Sequence, residues 1–299
     1  MRAGLICNPA AGGWRGAQVG LAVMEGLKRH GLLVDYVATE APGQATTAAE
    51  DMARGSDIVV AVGGDGTVNE VVNGLAGGQV PLGVVPAGTI NVLAMELEIP
   101  FGVEEACDVI AGGETMTIDL GQVDGRRFTL MAGAGLDALT IKELDLRAKQ
   151  LFREAAFVVT GARALIRHPI PDFSVRVDGE SHTANFAVIG NSRYYGGRFG
   201  ITKEADPTDG LFDVLLFHEK AFGQQVLFWM GVPFGLHVHH PGSMYLKGKR
   251  VEMELLDTAD EIWYQTDGEL AGSLPATAVI EEAALRVLVS GARKRGGRA

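Results

Sequence analysis

The stretch "DIVVAV", residues 57–62, restricts the fold more than any other feature of this chain, because after Asp57 it is apolar without interruption. A strand wetted on one face alternates apolar and polar residues. A continuous run suits a strand covered on both faces, as in a parallel sheet flanked by helices. "RAGLIC", "LLVDYVA" and "PLGVVPA" read as companion strands, and residues 14–30, 43–54 and 67–76 read as helices at the spacing of βα units. The first third is therefore expected to be an open α/β domain with a mainly parallel sheet, its ligands lying at the carboxyl ends of the strands.

Beyond residue 116 the pattern changes. "TIDLGQV", "RRFTLMAG", "DFSVRVDG", "HTANFAVIGN", "LFDVLLF", "YLKGKRVEMELL", "EIWYQT" and "ALRVLVS" recur with turn signals between them, which points to a mainly antiparallel β-sandwich. Helical insertions are expected at about 141–167 and 220–239. The expected domains are 1–116 and 117–290, with a tail, 291–299, that packs back on the first.

A chain of 299 residues has room for two such domains. Its formal charge of -11 argues against non-specific nucleic-acid binding, which needs lysine and arginine to replace counterions around phosphates. Local basic stretches remain at Lys142 to His168, with Arg147, Lys149, Arg153, Arg163 and Arg167, and in the tail "ARKRGGRA". Cys7 and Cys107 lack CxxC spacing and read as core thiols. No run of eighteen apolar residues and no signal-peptide core occurs, so a cytoplasmic protein is expected.

Directly after "DIVVAV" comes "GGDGTVNE". Gly63, Gly64 and Gly66 permit backbone conformations closed to other residues and let a ligand approach the chain. Thr67 with Glu70 has the spacing of a helix N-cap and capping box, and a helix N-terminus favours an anion, so the turn reads as a phosphate site. Asp65 would repel phosphate unless it handles a cation or a proton. "CNPAAGG" and "PAGTINVLA" also end expected strands, and three glycine-bearing loops at one sheet edge describe a nucleotide crevice. Neither a Walker A sequence nor GxGxxG is present.

Taken in order, "NPAAGG", "GGDGTVNEVVNGL", "PAGTINVLA" and "DGLFDV" resemble the diacylglycerol kinase catalytic-domain family, in its bacterial soluble lipid kinase form, over nearly the entire chain. The resemblance implies an ATP-binding α/β domain, a β-sandwich domain, a cleft between them, and Mg²⁺-dependent transfer of the ATP γ-phosphate to a lipid hydroxyl. It assigns nucleotide contacts to Asn8, Pro9, Ala10 and Gly12, to Thr39, to Gly63, Gly64, Asp65, Gly66, Thr67, Val68, Asn69 and Glu70, and to Thr89 and Asn91. Asp65 would lie near phosphate and Mg²⁺. A second metal site would use Asp209 with Asp206 and Leu211. "QTDGEL" makes Glu269 and Asp267 candidates for the general base, with Asp65 as a third. The chain departs from many relatives at Ile90, where they have glycine, and at Val92, where they have an acidic residue.

A lipid substrate further implies transient docking at a membrane surface, through the basic stretch 142–168 or the apolar run "VLFWMGVPFG". Arg193, Tyr195 and Arg198 are expected to line the cleft, whereas His237, His239 and His240 lack partner ligands and suit a helix end better than a metal site. An NAD kinase shares Gly-Gly-Asp-Gly-Thr, and a nucleotide-binding regulator without catalysis is the third reading. Retention of Asp65, Asp209, Asp267 and Glu269 argues against that one. The acceptor and the choice between monomer and homodimer stay open.

Overall fold

The protein is described by a computed structural model, covering residues 1–143, 171–195, 197, 199–257 and 261–291. The chain divides into two compact units, Met1–Leu120 joined by residues from Glu282 onward, and Gly121–Glu281. It passes between them in β5 (Thr115–Val123) and again in β18 (Ala276–Leu288).

The first unit runs β1 (Arg2–Cys7), α1 (Ala11–Trp14), α2 (Gly16–Arg29), β2 (Leu33–Ala38), α3 (Gln44–Ala53), β3 (Ile58–Gly63), α4 (Asp65–Leu75), β4 (Leu82–Pro86), α5 (Val92–Glu96) and α6 (Val103–Gly112). Its strands are parallel in the order β2-β1-β3-β4, and Val287 at the far end of β18 pairs with Leu82 of β4. As the apolar run requires, every residue of β3 is buried. Edge strand β2 is not, and its pattern is largely exposed. Helices α2 and α6 cover one face, Val23 and Leu27 meeting Leu5, Val60 and Ile110. Both cysteines are free and buried in this layer, and burial pushes the Cys107 thiol up to about 11. The C-terminal return is pinned by Asp119, which accepts the Ala283 N–H at 2.7 Å.

The second unit contains β6 (Arg126–Phe128), β7 (Met131–Gly135), α7 (Leu136–Glu143), β8 (Phe173–Val177), β9 (Glu180–Ala184), β10 (Phe186–Gly190), the short pair β11 (Tyr194–Tyr195) and β12 (Phe199–Gly200), β13 (Phe212–Phe217), α8 (Phe222–Gly231), β14 (Ser243–Gly248), β15 (Arg250–Leu255), β16 (Trp263–Thr266) and β17 (Glu269–Ser273). One antiparallel sheet has the order β14-β13-β10-β7-β16-β17. Facing it, β15 lies between β8 and the first half of β18, with β9 outside β8. Phe128, Phe173, Phe212, Val214 and Met253 fill the layer between them, and Phe128 stacks on Phe212 with centroids 5.8 Å apart.

An α/β unit followed by an antiparallel sandwich is the fold class that the sequence patterns call for. Three expected strands divide: "RRFTLMAG" into β6 and β7, "HTANFAVIGN" into β9 and β10, and "YLKGKRVEMELL" into β14 and β15. β17 escapes the pattern because both its faces stay wet. The expected helix at 220–239 is α8 followed by two 3₁₀ turns, Val232–Phe234 and His237–His239. Of the helix expected at 141–167, only the residues up to 143 are described. Arg147, Lys149, Arg153, Arg163, Arg167, Arg198 and the tail beyond 291 lie outside the described residues.

Candidate functional site

In the sheet order of the first unit, β2 and β3 lie on opposite sides of β1. The chain thus leaves the ends of β1 and β3 in opposite directions, the arrangement that opens a crevice at the carboxyl edge of a doubly wound sheet. Asn8 begins the loop after β1, and Gly64 and Asp65 follow β3. Asn8 Nδ2 donates to Thr67 Oγ1 at 3.1 Å while its Oδ1 accepts the Ala10 N–H at 3.0 Å, so one amide fastens its own loop to the first turn of α4. Thr39 closes the end of β2 by donating its N–H to the Cys7 carbonyl at 2.8 Å.

Asp65 is the first residue of α4, and its carboxylate reaches the third loop. Oδ2 accepts the Asn91 N–H at 3.1 Å and Oδ1 the Val92 N–H at 2.6 Å. Asn91 sits in the left-handed region at φ 61°, which asparagine tolerates better than most residues. Its side chain accepts from Gly88 N and donates to Gly88 O, so the loop is tied internally as well. Thr89 is exposed. Val92, one of the departures from the family pattern, is buried and opens α5.

The geometry corrects the expected cap. Helix α4 starts at Asp65 with Gly64 as N-cap, so Thr67 is its third residue and forms no capping box. Glu70 instead accepts the Ala45 N–H at 3.1 Å, serving the N-terminus of α3. Gly63, Gly64 and Gly66 do not use the backbone freedom expected of them, since none has positive φ. Gly64 has ordinary extended φ, and Gly63 belongs to β3. What they provide is space: a Cβ on Gly63 would meet the Thr67 side chain, and one on Gly88 would strike the Gly64 backbone. Gly12, with φ 60°, would strike the Ala87 carbonyl. The three loops therefore touch backbone to backbone, and Gly64, the N-cap of α4 among them, has no side chain to cap the helix. Val68 and Asn69 are buried on α4, where the Val68 N–H donates to the Gly64 carbonyl at 3.0 Å and Asn69 Oδ1 accepts from Asn73 at 3.1 Å.

In the second unit "TDGE" is a hairpin. Asp267 and Gly268 form a two-residue turn between β16 and β17, with φ 48° and 81°, the positive pair of a type I′ turn. The half-buried Asp267 carboxylate accepts four donors: the N–H groups of Thr129, Leu130 and Met131 at 2.8, 2.9 and 3.1 Å, and the Thr129 hydroxyl at 3.0 Å. Burial pushes its carboxyl up while those donors pull the other way. Glu269, two residues on, is exposed and ion-paired with Arg126. Arg126 was not expected from the sequence; 143 residues separate the two.

The loop carrying Asp206, Asp209 and Leu211 turns on its own carboxylates. Asp206 Oδ1 accepts from Thr208 N and Oγ1, and Asp209 Oδ1 accepts from Leu211 N. The Lys247 ammonium lies 3.3 Å from Asp209 Oδ2 and 3.3 Å from Asp213 Oδ2. Burial opposes the Lys247 charge, yet the two carboxylates raise its pKa. Among the described residues no three His, Cys, Asp or Glu side chains gather as a metal-holding group. His237 Nε2 bonds the Ile201 carbonyl at 2.8 Å and His240 Nε2 bonds Gln224 at 3.0 Å. Arg193 lies 5.5 Å from the Tyr194 ring.

Comparison with known proteins fits this arrangement. The Diacylglycerol kinase catalytic domain family matches residues 2–123, and the YegS C-terminal NAD kinase beta sandwich-like domain family matches residues 131–289. The chain belongs to the diacylglycerol kinase catalytic-domain family. It is 29% identical over 277 residues to the diacylglycerol kinase of Staphylococcus haemolyticus (strain JCSC1435), covering 91% of this chain and 83% of that one. With the diacylglycerol kinase of Bacillus subtilis (strain 168) the identity is again 29%, over 280 residues, covering 92% and 91%. A crystal structure of a diacylglycerol kinase from Bacillus anthracis str. Sterne aligns with TM-score 0.75 and 18% identity over 97% of each chain. A second crystal structure from the same organism reaches 0.82 with 22% identity, over 97% of this chain and 96% of that one. These structures bear on the fold. The family is one of lipid kinases, and no described helix is long and apolar enough to cross a membrane.

Proposed function

We propose that this protein transfers the γ-phosphoryl group of ATP to the hydroxyl of diacylglycerol or a related lipid alcohol, with Mg²⁺. The observation that carries the reading is the fastening of three strand-end loops around the uncapped N-terminus of α4, through Asn8 to Thr67 and Asp65 to Asn91 and Val92. Backbone N–H groups at such a terminus suit phosphate. The residues that would hold the nucleotide are Asn8 and the loop to Gly12, Thr39, Gly63 to Glu70, Thr89 and Asn91.

ATP would supply the transferable phosphoryl group, and Mg²⁺ would neutralise its charge. Asp65 fits such a cation as a single carboxylate, since Mg²⁺ takes few protein ligands beside water and phosphate oxygens. Its own work in this chain is to hold the Asn91 loop against α4. Glu269 is the favoured general base, taking the proton of the acceptor hydroxyl, because four donors already engage Asp267 while Glu269 is exposed with one arginine partner. Asp206, Asp209 and the Leu211 carbonyl are an all-oxygen set that would suit a hard cation, with Lys247 already supplying positive charge there.

On this reading the enzyme is cytoplasmic and meets its acceptor transiently at a membrane surface. The test is purified protein with labelled ATP and Mg²⁺, offered diacylglycerol, sphingosine, ceramide, phosphatidylglycerol and NAD in separate reactions. Labelled phosphatidic acid from diacylglycerol is the expected result. Label in NAD alone would support the second reading, which the description of the sandwich family keeps alive. ATP binding without transfer to any acceptor would leave a regulator.

A further inference from the structure

From Ala221 to Leu246 the chain contains no Asp, Glu, Lys or Arg. At the chain's 21% charged content a stretch of this length would carry about five. Helix α8 and the two 3₁₀ turns that follow occupy most of it. Six of the thirteen large hydrophobic side chains exposed among the described residues fall in this stretch. Leu227, Met230, Phe234 and Leu236 are each more than half exposed, Phe234 by 76%.

The exposure does not come from a loose fold. On its inner side α8 is anchored by Phe228, which is fully buried and stacked on Phe217 with centroids 4.1 Å apart. Trp229 packs edge-on to Phe186 at 5.2 Å. His237, buried and bonded to the Ile201 carbonyl, fixes the turn that carries Leu236. A helix apolar on both sides is one that something covers, and here a rigid base presents the outer side.

A cation reaches this face: Lys203 lays its ammonium against Gly235. A chain of net charge -11 is repelled overall by an anionic bilayer. The face has no carboxylate in its own sequence; the Glu219 side chain lies against Gly242, and Lys203 against Gly235 offers lipid phosphate a cation beside the apolar side chains. Phe, Leu and Met beside lysine is the composition of an interfacial anchor rather than of a polar protein contact.

We infer that the face formed by α8 and residues 232–244, with Lys203 against Gly235, docks this protein on an anionic lipid bilayer. Leu227, Met230, Phe234 and Leu236 enter the headgroup and acyl boundary, and Lys203 meets lipid phosphate. The inference rests on the lipid-kinase reading for its purpose, since that acceptor resides in a bilayer, but its physical basis is independent.

The experiment is co-sedimentation of the full chain with vesicles of phosphatidylcholine alone and of an equal mixture with phosphatidylglycerol. Wild type should bind the mixture in preference. The double variant Phe234→Gln, Leu236→Gln should lose at least about tenfold in partitioning to both vesicles. Lys203→Gln should lose about fivefold for the mixture and little for phosphatidylcholine. Wild type that binds neither vesicle, or a double variant that binds as wild type does, overturns the inference. So does a double variant that changes from dimer to monomer in solution with vesicle binding intact, because the cover is then a second copy. Turnover on a short-chain, water-soluble diacylglycerol should stay within about twofold in both variants. Vesicle binding without turnover on any diacylglycerol would sink the kinase reading and leave the docking face standing.

Discussion

The tripeptide Asp-Gly-Glu occurs twice in the second unit, at 178–180 and 267–269, and makes the same two-residue hairpin each time. In both, the turn carboxylate pins the chain that enters a neighbouring strand. Asp178 is exposed and accepts the N–H groups of Lys249 and Arg250 ahead of β15. Asp267 accepts four donors from Thr129 to Met131 ahead of β7. The glutamates diverge further. Glu180 lies 3.7 Å from His182, whereas Glu269 is paired with Arg126. The tripeptide encodes a turn, and its surroundings set the work of each carboxylate.

The largest difference between the copies should appear in turnover. Glu269→Gln is expected to lower kcat by about a hundredfold or more, as loss of a general base does, while Glu180→Gln stays near wild type. Equal effects in a phosphoryl-transfer assay would break the contrast. In denaturant unfolding, Asp267→Ala should cost about 3 kcal/mol because it strands several donors, while Asp178→Ala should cost under about 1 kcal/mol, water replacing the lost acceptor. Arg126→Met sharpens the comparison: kcat should fall roughly three- to tenfold through a mispositioned Glu269, with stability little changed because the ion pair is exposed. A large stability loss would make that pair structural.

The smallest effect lies outside both hairpins and serves as a control on pH. Burial lowers the His237 pKa below its ordinary value, so the folded state takes up a proton less readily than the unfolded one. Stability contributed by neutral His237 is present above about pH 6.5 and declines as pH falls through the depressed folded value. His237→Gln should flatten the acid side of the unfolding midpoint by about 1 kcal/mol or less, with neither hairpin affected.

Much of the first unit could be read in advance. Uninterrupted apolar runs gave buried parallel strands, and glycine-bearing loops fell at their ends because the βα alternation brings successive carboxyl ends to one edge. Smaller assignments failed where a partner distant in sequence intervened. Thr67 and Glu70 have capping-box spacing, yet Asn8 takes the threonine and Ala45 the glutamate. Likewise the apolar run at 226–235 could be read as core or as surface, and only the fold shows Phe228 inside and Met230 and Phe234 outside.

By itself, then, the sequence determined the α/β unit, the antiparallel sandwich and the three glycine loops. Each of these depends on side-chain period or backbone freedom over a few residues. Tertiary structure decided what each carboxylate does. Asp65 meets Asn91 and Val92 across 26 and 27 residues, Asp267 meets Thr129 across 138, and Glu269 meets Arg126 across 143. A carboxylate is governed by the donors, cations and burial around it, and those neighbours assemble only when the strands do.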